Sequence, residues 1–300
     1  MAIESRDIPA GLGAGVRALF LKTIETVPSH YDKLAMVLPS TKSEEKYAWL
    51  SSIPGMREFV DERQAYGLRE YSFTIENKTW ESTIEVERAA LEDEQYGQIR
   101  LRVQTLAEAA GRHKDQMVLE LIRDGFAGEC YDGEAFFSDS HPTGDATQSN
   151  TGAAALSGAA LQSAISQMAK LKDEQGRPLA VEADTLVVPP DLEWAALEIL
   201  SSVLDPDGST NAANPLRGRL DLIVSPHLTD TDNWFLFSTK RALKPLILQE
   251  RTPVEFEALD AGSGSSDAFM RDRFYYGVRA RYNAGYGLWQ LAYGSNVTGG

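Results

Sequence analysis

Hydrophobic positions along this chain change period once, between Tyr71 and Gly125. Tyr71, Phe73 and Ile75 alternate with Ser72, Thr74 and Glu76, and Trp80, Ser82, Ile84 and Val86 alternate with Glu81, Thr83, Glu85 and Glu87. Period two predicts two half-buried strands. The polar Asn77, Lys78 and Thr79 between them predict a turn, so the pair is expected to form a β-hairpin whose charged face must be wet or meet a partner. Tyr96, Ile99, Val103, Leu106, Ala110, His113, Met117 and Leu121 then recur every three or four residues, the stripe of an amphipathic helix. From Glu92 to Asp124 that helix would span roughly 50 Å at about 1.5 Å per residue. Glu92, Asp93 and Glu94 sit where the positive end of its dipole favours carboxylates, and Arg123 sits near the other end. Gly125 is expected as a left-handed cap. Gly97 and Gly111 each weaken the helix by about 1 kcal/mol relative to alanine, which leaves room for a kink or break.

Elsewhere the pattern is shorter-ranged. Gly11, Gly13 and Gly15 read as a flexible opening, followed by a helical run through Val16, Leu19, Phe20, Ile24 and Val27 that Pro28 ends. Beyond Pro39 the chain turns polar, and residues 1–54 carry too little apolar surface for a core of their own, so they must lean on something else. Residues 56–67 make a charged approach to the hairpin. Residues 129–152 are loop-rich, with Phe136 and Phe137 as the expected anchor. Ser157 is a candidate cap for a helix burying Leu161, Ile165, Met168 and Leu171, and Asp191 opens another through Trp194, Leu197 and Leu200. Strands are expected at Thr185–Val188, Leu220–Val224, Trp234–Phe237, Leu246–Gln249 and Val254–Leu259, giving an α/β lobe from about Ala153 to Leu259. Gly262 to Ser266 reads as a hinge, and Phe274 to Tyr282 as a long strand with an arginine row, Arg273, Arg279 and Arg281.

Composition narrows the class. With 300 residues, 43% of them hydrophobic, the chain can bury a sizeable core and form two lobes. No apolar run is long enough to cross a bilayer, and Met1 to Ala10 holds charges where a signal peptide would be apolar, so a soluble protein made in a cytoplasm is expected. Cys130 is the single cysteine, which excludes an intrachain disulfide and a cysteine-rich zinc site. A net charge of −15 argues against affinity built on neutralising phosphates.

Candidate chemistry is thin. The early glycines imitate a dinucleotide loop, but no strand precedes them and the third comes too soon. Cys130, Asp132, Glu134, Asp139 and His141 match no metal spacing, and a structured loop is the simpler reading. Asp205, Asp207, Gly208, Ser209 and Asn211 have the composition of a calcium loop without its spaced carboxylates, so a surface turn is expected. Ser263 and Ser265 lack the strand and helix of a nucleophile elbow, and His113 falls on the helix stripe as a core-edge residue. No catalytic group, cofactor site or metal site is assigned, which favours a structural or binding protein over an enzyme.

The order of parts, together with particular residues, carries a resemblance. These are Thr83-Ile84-Glu85-Val86-Glu87-Arg88 with Leu91-Glu92-Asp93, Cys130-Tyr131-Asp132-Gly133 with Phe136-Phe137-Ser138 and His141-Pro142, Leu186-Val187-Val188-Pro189-Pro190, and Trp289-Gln290-Leu291-Ala292-Tyr293-Gly294-Ser295. In that order they are similar to major capsid proteins of the Hong Kong 97 phage type, and more narrowly to the major head subunits (gpT) of Mu-like phages. The resemblance implies an α+β fold with an N-terminal arm (residues 1–55), an extended β-hairpin loop (56–90), a peripheral domain with a spine helix (91–152), an axial α/β domain (153–261) and C-terminal strands returning to both (262–300). It implies a subunit that assembles with itself, as pentamers and hexamers, into an icosahedral head in the virion. Double-stranded DNA would be enclosed without sequence specificity, and scaffold, portal and decoration proteins would be further partners.

An isolated two-stranded hairpin is marginal in water. Tyr71, Phe73, Ile75, Asn77, Lys78, Trp80, Ile84 and Val86 are therefore the candidate inter-subunit contacts, and Lys78 is a candidate crosslinking lysine or simply a solvated turn residue. Two other readings stand beside this one: an encapsulin-like nanocompartment shell, and a two-lobed hydrolase.

Overall fold

In the computed structural model the described residues are 8–47, 73–87, 89, 96–144, 146–174, 176–204, 212–259 and 270–297. Tyr71, the charged approach at 56–67, the acidic helix start Glu92 to Glu94, the Asp205 to Asn211 turn and the Gly262 to Ser266 hinge lie outside them.

The first helix, α1 (Ile8–Thr26), runs through Gly11, Gly13 and Gly15. The flexible glycine opening is thereby corrected: Pro9 sits in the first turn, where its missing N–H costs nothing, and Val16 and Phe20 bury farther along. A short α2 (Tyr31–Leu34) leads into β1 (Ala35–Pro39), an apolar run not read as a strand, and β2 (Glu44–Tyr47), which its polar composition concealed. Then come β3 (Phe73–Glu76) and β4 (Lys78–Glu87), in which apolar positions are the more buried ones, as alternation required. The long helix α3 (Tyr96–Arg123) is continuous across Gly97 and Gly111 and spans about 42 Å at about 1.5 Å per residue. At Gly111 a methyl group would fall 3.0 Å from the Val27 side chain, so the glycine lets the end of α1 approach.

Gly125 corrects a further expectation. The chain continues from α3 into a 3-10 turn, Asp124–Phe126, and Gly125 is not among the glycines with positive φ. Its smallness serves packing instead, because a Cβ there would lie 2.7 Å from the Phe137 ring. Three short strands follow, β5 (His141–Thr143), β6 (Ala146–Gln148) and β7 (Thr151–Gly152). Helix α4 (Gly158–Ala169) begins where Ser157 Oγ accepts from Ala160 N at 3.1 Å. The remainder is β8 (Thr185–Val188), α5 (Glu193–Ser201), β9 (Asp221–Val224), β10 (Trp234–Phe237), β11 (Leu246–Leu259), β12 (Arg273–Tyr286) and β13 (Ala292–Ser295).

Two sheets organise these elements. The first has the order β1-β11-β12-β4, with β1 parallel to β11 and the other pairs antiparallel. Helices α1 and α3 cover one face, where Phe20, Val103 and Leu106 meet Val86, Phe256, Phe274 and Tyr276. The second has the order β7-β13-β10-β8-β9. Its strands β8 and β10 are buried throughout, which explains their uninterrupted apolar runs. One face packs on α4 and α5, and the other joins Phe136, Phe137, Ile122 and Tyr286 in a core that reaches the first sheet. Leu246–Gln249 and Val254–Leu259, read as two strands of the α/β lobe, are one strand of the other sheet. The pairing slips around Pro253, which has no N–H to give.

The hairpin is the main correction. β3 pairs antiparallel with β2, and β4 pairs antiparallel with β12; they do not pair with each other. A single residue, Asn77, separates them, too short for a hairpin loop. Its buried side chain donates to Ser40 Oγ and Lys42 O, both at 2.8 Å, and its backbone N–H donates to Ser43 O at 2.8 Å. These bonds hold a corner that sends the chain from one sheet to another.

Candidate assembly interface

The described candidates on this ribbon divide by exposure. Ile75 is buried and Phe73 half-buried against Gly285, where a methyl would fall 2.6 Å from Ile75 Cδ1 and 2.9 Å from the Phe73 ring. Beside them Tyr47 Oη donates to Gln249 Oε1 at 2.9 Å, and burial pushes that hydroxyl up to about 12. Trp80 is half-buried: its Nε1 donates to Tyr282 O at 2.9 Å and its ring lies 4.4 Å from that of His113. Ile84 and Val86 pack into the core under α1 and α3. Lys78 is exposed at the start of β4. The apolar side of the ribbon thus meets the chain's own interior, and what β4 presents outward is polar, with Glu81, Ser82, Thr83, Glu85 and Glu87 exposed. Among the described residues β4 is also an edge strand of its sheet, with β12 as its one partner strand. Arg273 bridges to Glu85 at 2.6 Å across the pair, both partly exposed, a contact of small energetic weight.

The cavity beside this ribbon, about 160 Å³, is lined by Trp80, His113, Ala110, Val254, Val278 and Tyr282 among others. His113 Nδ1 lies 2.8 Å from Tyr282 Oη, and burial holds the imidazole below its usual range. The histidine read as a core-edge residue is thus a packing residue, bonded to a tyrosine of the central strand.

The loop cluster around Cys130 is likewise internally satisfied. His141 Nδ1 lies 2.7 Å from Asp132 Oδ2, both side chains being buried, and the ring stacks on Trp289 at 4.0 Å and 4°. Asn150 donates Nδ2 to Phe136 O at 2.8 Å and to Trp289 O at 3.2 Å, which turns its Oδ1 toward His141 Nε2 at 3.2 Å. Cys130 Sγ sits 3.6 Å from Gly287 O, and burial pushes the thiol up, away from reactivity. These groups tie residues 130–150 to the turn before β13.

Sequence reading missed one surface. On α5, Trp194 and Leu197 are exposed, as are Val203 and Leu204 after it. The signal was available: Trp194-Ala195-Ala196-Leu197-Glu198-Ile199-Leu200 is apolar on both sides of a helix, more than a helix with one buried face needs.

Solved structures share this arrangement. The procapsid of bacteriophage JBD30 superposes with a TM-score of 0.61 at 28% identity, over 98% of this chain and 76% of that one. A virus-like particle from Pyrococcus furiosus superposes with a TM-score of 0.55 over 94% and 98% at 13% identity, a likeness of fold alone. The two-sheet architecture with its spanning helix is that of a Hong Kong 97-type capsid protein. Within that class, the chain belongs to the Mu-like prophage major head subunit gpT family, whose profile matches residues 10–160, 151–228 and 229–298. It is 28% identical over 294 residues to the Mu-like prophage FluMu major head subunit of Haemophilus influenzae, covering 98% of this chain and 74% of the relative. It is 27% identical over 269 residues to the major capsid protein of Escherichia phage Mu, covering 90% and 67%. The chain is a major capsid subunit of a Mu-like head, located in the virion. Among the described residues no helix is long and apolar enough to cross a membrane.

Proposed function

We propose that copies of this chain close into an icosahedral shell around double-stranded DNA, held by contact between subunits and without catalysis. The observation that supports this most is the family match, which runs from residue 10 to residue 298. The net charge of −15 suits a container whose wall must not bind its packaged polymer tightly. In this reading residues 1–55 are the arm, 56–90 the extended loop, 91–152 the peripheral domain, 153–261 the axial domain and 262–300 the returning strands. Of the described ribbon candidates, Lys78 reaches a neighbouring subunit with its side chain, and Trp80, Ile84 and Val86 hold β4 in place for backbone contact. Scaffold, portal and decoration proteins are further partners of the assembled head.

The test is the content of particles. Lysates in which the chain is produced during phage development are expected to give icosahedral particles that contain it and protect genomic DNA from nuclease. Particles filled with protein cargo instead of DNA would favour a nanocompartment. A chain found solely as small soluble species would reject the shell.

A further inference from the structure

We infer that the cleft between α3 and the β4-β12 side of the first sheet binds a small, neutral aromatic molecule that carries a hydroxyl, the chemical class of phenol. The site lies within one subunit and is independent of how copies of the chain pack.

The space exists because two hydrophobic cores meet there without closing. Trp80 packs against one core, Ala110 against the other and Val254 against both. Ala109 and Ala110 of α3 line one wall and Ala280 of β12 the other, so small side chains stand on both sides of the gap. Val254 falls in the stretch of β11 where pairing with β12 slips, and it has no registered partner on that strand. What remains is a cleft of about 160 Å³.

Size, walls and polarity then select the occupant. A cavity of about 150 Å³ with apolar walls admits one benzene-sized ring. Three ring systems border the cleft: Trp80, His113 and Tyr282 have centroids 4.4 to 6.3 Å apart, and they offer aromatic faces and edges to a guest. His113 Nδ1 is engaged by Tyr282 Oη at 2.8 Å, whereas Nε2 forms no hydrogen bond among the described residues and is not sealed from solvent. Burial holds this imidazole below its usual range, so at neutral pH it is uncharged and Nε2 donates in one tautomer and accepts in the other. A hydroxyl can do both and therefore serves either tautomer. Glu81 and Arg279, register partners across β4 and β12, line the same cleft with opposite charges, which leaves little net field to attract an ionised ligand.

The experiment titrates the purified chain with phenol, benzene and benzoate by saturation-transfer NMR, using circular dichroism melting to confirm that each variant is folded. Phenol is expected to bind saturably with a Kd of about 1 mM or tighter, benzene about tenfold more weakly, and benzoate more weakly still. Ala110→Leu fills the cleft and is expected to weaken phenol at least about tenfold without lowering the melting temperature. His113→Phe removes Nε2 and is expected to erase the preference for phenol over benzene. If Ala110→Leu fails to fold, Ala109→Leu, at an exposed position on the same wall, decides by the same loss. Absence of saturable phenol binding to the wild-type chain overturns the site, as does unchanged phenol affinity in the folded cleft-filling variant. Benzoate binding more tightly than phenol overturns the neutral ligand class.

Discussion

Asp184 shows how a buried charge is held at single-residue scale. Burial alone would raise its carboxyl, yet hydroxyls of Thr239 and Thr185 and the N–H groups of Thr239 and Lys240 outweigh that and hold it below its ordinary 3.8. The donors lie at 2.7 to 3.1 Å. A carboxyl depressed on folding contributes stability that is fully present above its unfolded value of about 4 and is lost as pH falls through the folded value. Asp184→Asn is expected to lower stability at neutral pH by about 2 kcal/mol and to flatten the acid limb, checked by urea unfolding between pH 2 and 7. His141 gives a second test. His141→Leu strands the buried Asp132 carboxylate and is expected to cost about 3–5 kcal/mol, whereas replacing both by leucine should cost less than the sum of the single changes. Neither site was legible beforehand. Asp132 and His141 were visible as chemistry-bearing residues, but spacing along the chain cannot show that they meet each other beneath a tryptophan.

At the scale of elements, pattern was informative wherever burial decided it. Thr185–Val188 and Trp234–Phe237 are buried on both faces and read as strands for that reason, and the α3 stripe foretold its helix. What failed were judgements about partners. Alternation says that a strand has an inner face, not whose interior receives it, so β3 and β4 were paired with each other when β2 and β12 were their true neighbours. Glycines erred likewise: the sequence shows a missing side chain but not what fills the space. The contrast is measurable. Gly125→Ala drives a methyl into Phe137 and is expected to destabilise the unassembled chain by about 1–3 kcal/mol. Gly97→Ala, with nothing within 4 Å, should stabilise it by about 0.5 kcal/mol, both read from denaturant midpoints.

For the whole molecule, the family was legible in the sequence because its motifs lie in order along nearly the entire chain, independent of where each one packs. The candidate contacts were less so. They were sought among the most apolar residues of a presumed projection, and most of those satisfy the subunit itself. Trp194 went unrecognised because a tryptophan on a helix is ordinarily an inward residue. Growing the shell then becomes a question of which faces remain after folding, and hydrogen exchange should report it: amides of the β4 edge are expected to exchange more slowly in particles than in free subunits, while those of β8 and β10 stay slow in both.

Strands β12 and β13 occupy interior positions, one in each sheet, yet both come from residues 273–295. A nascent chain on the ribosome therefore has neither sheet complete until residues 273–295 have emerged. Premature oligomerisation between half-made subunits is discouraged by that timing alone, and truncations upstream of Arg273 should yield insoluble fragments, never a smaller head.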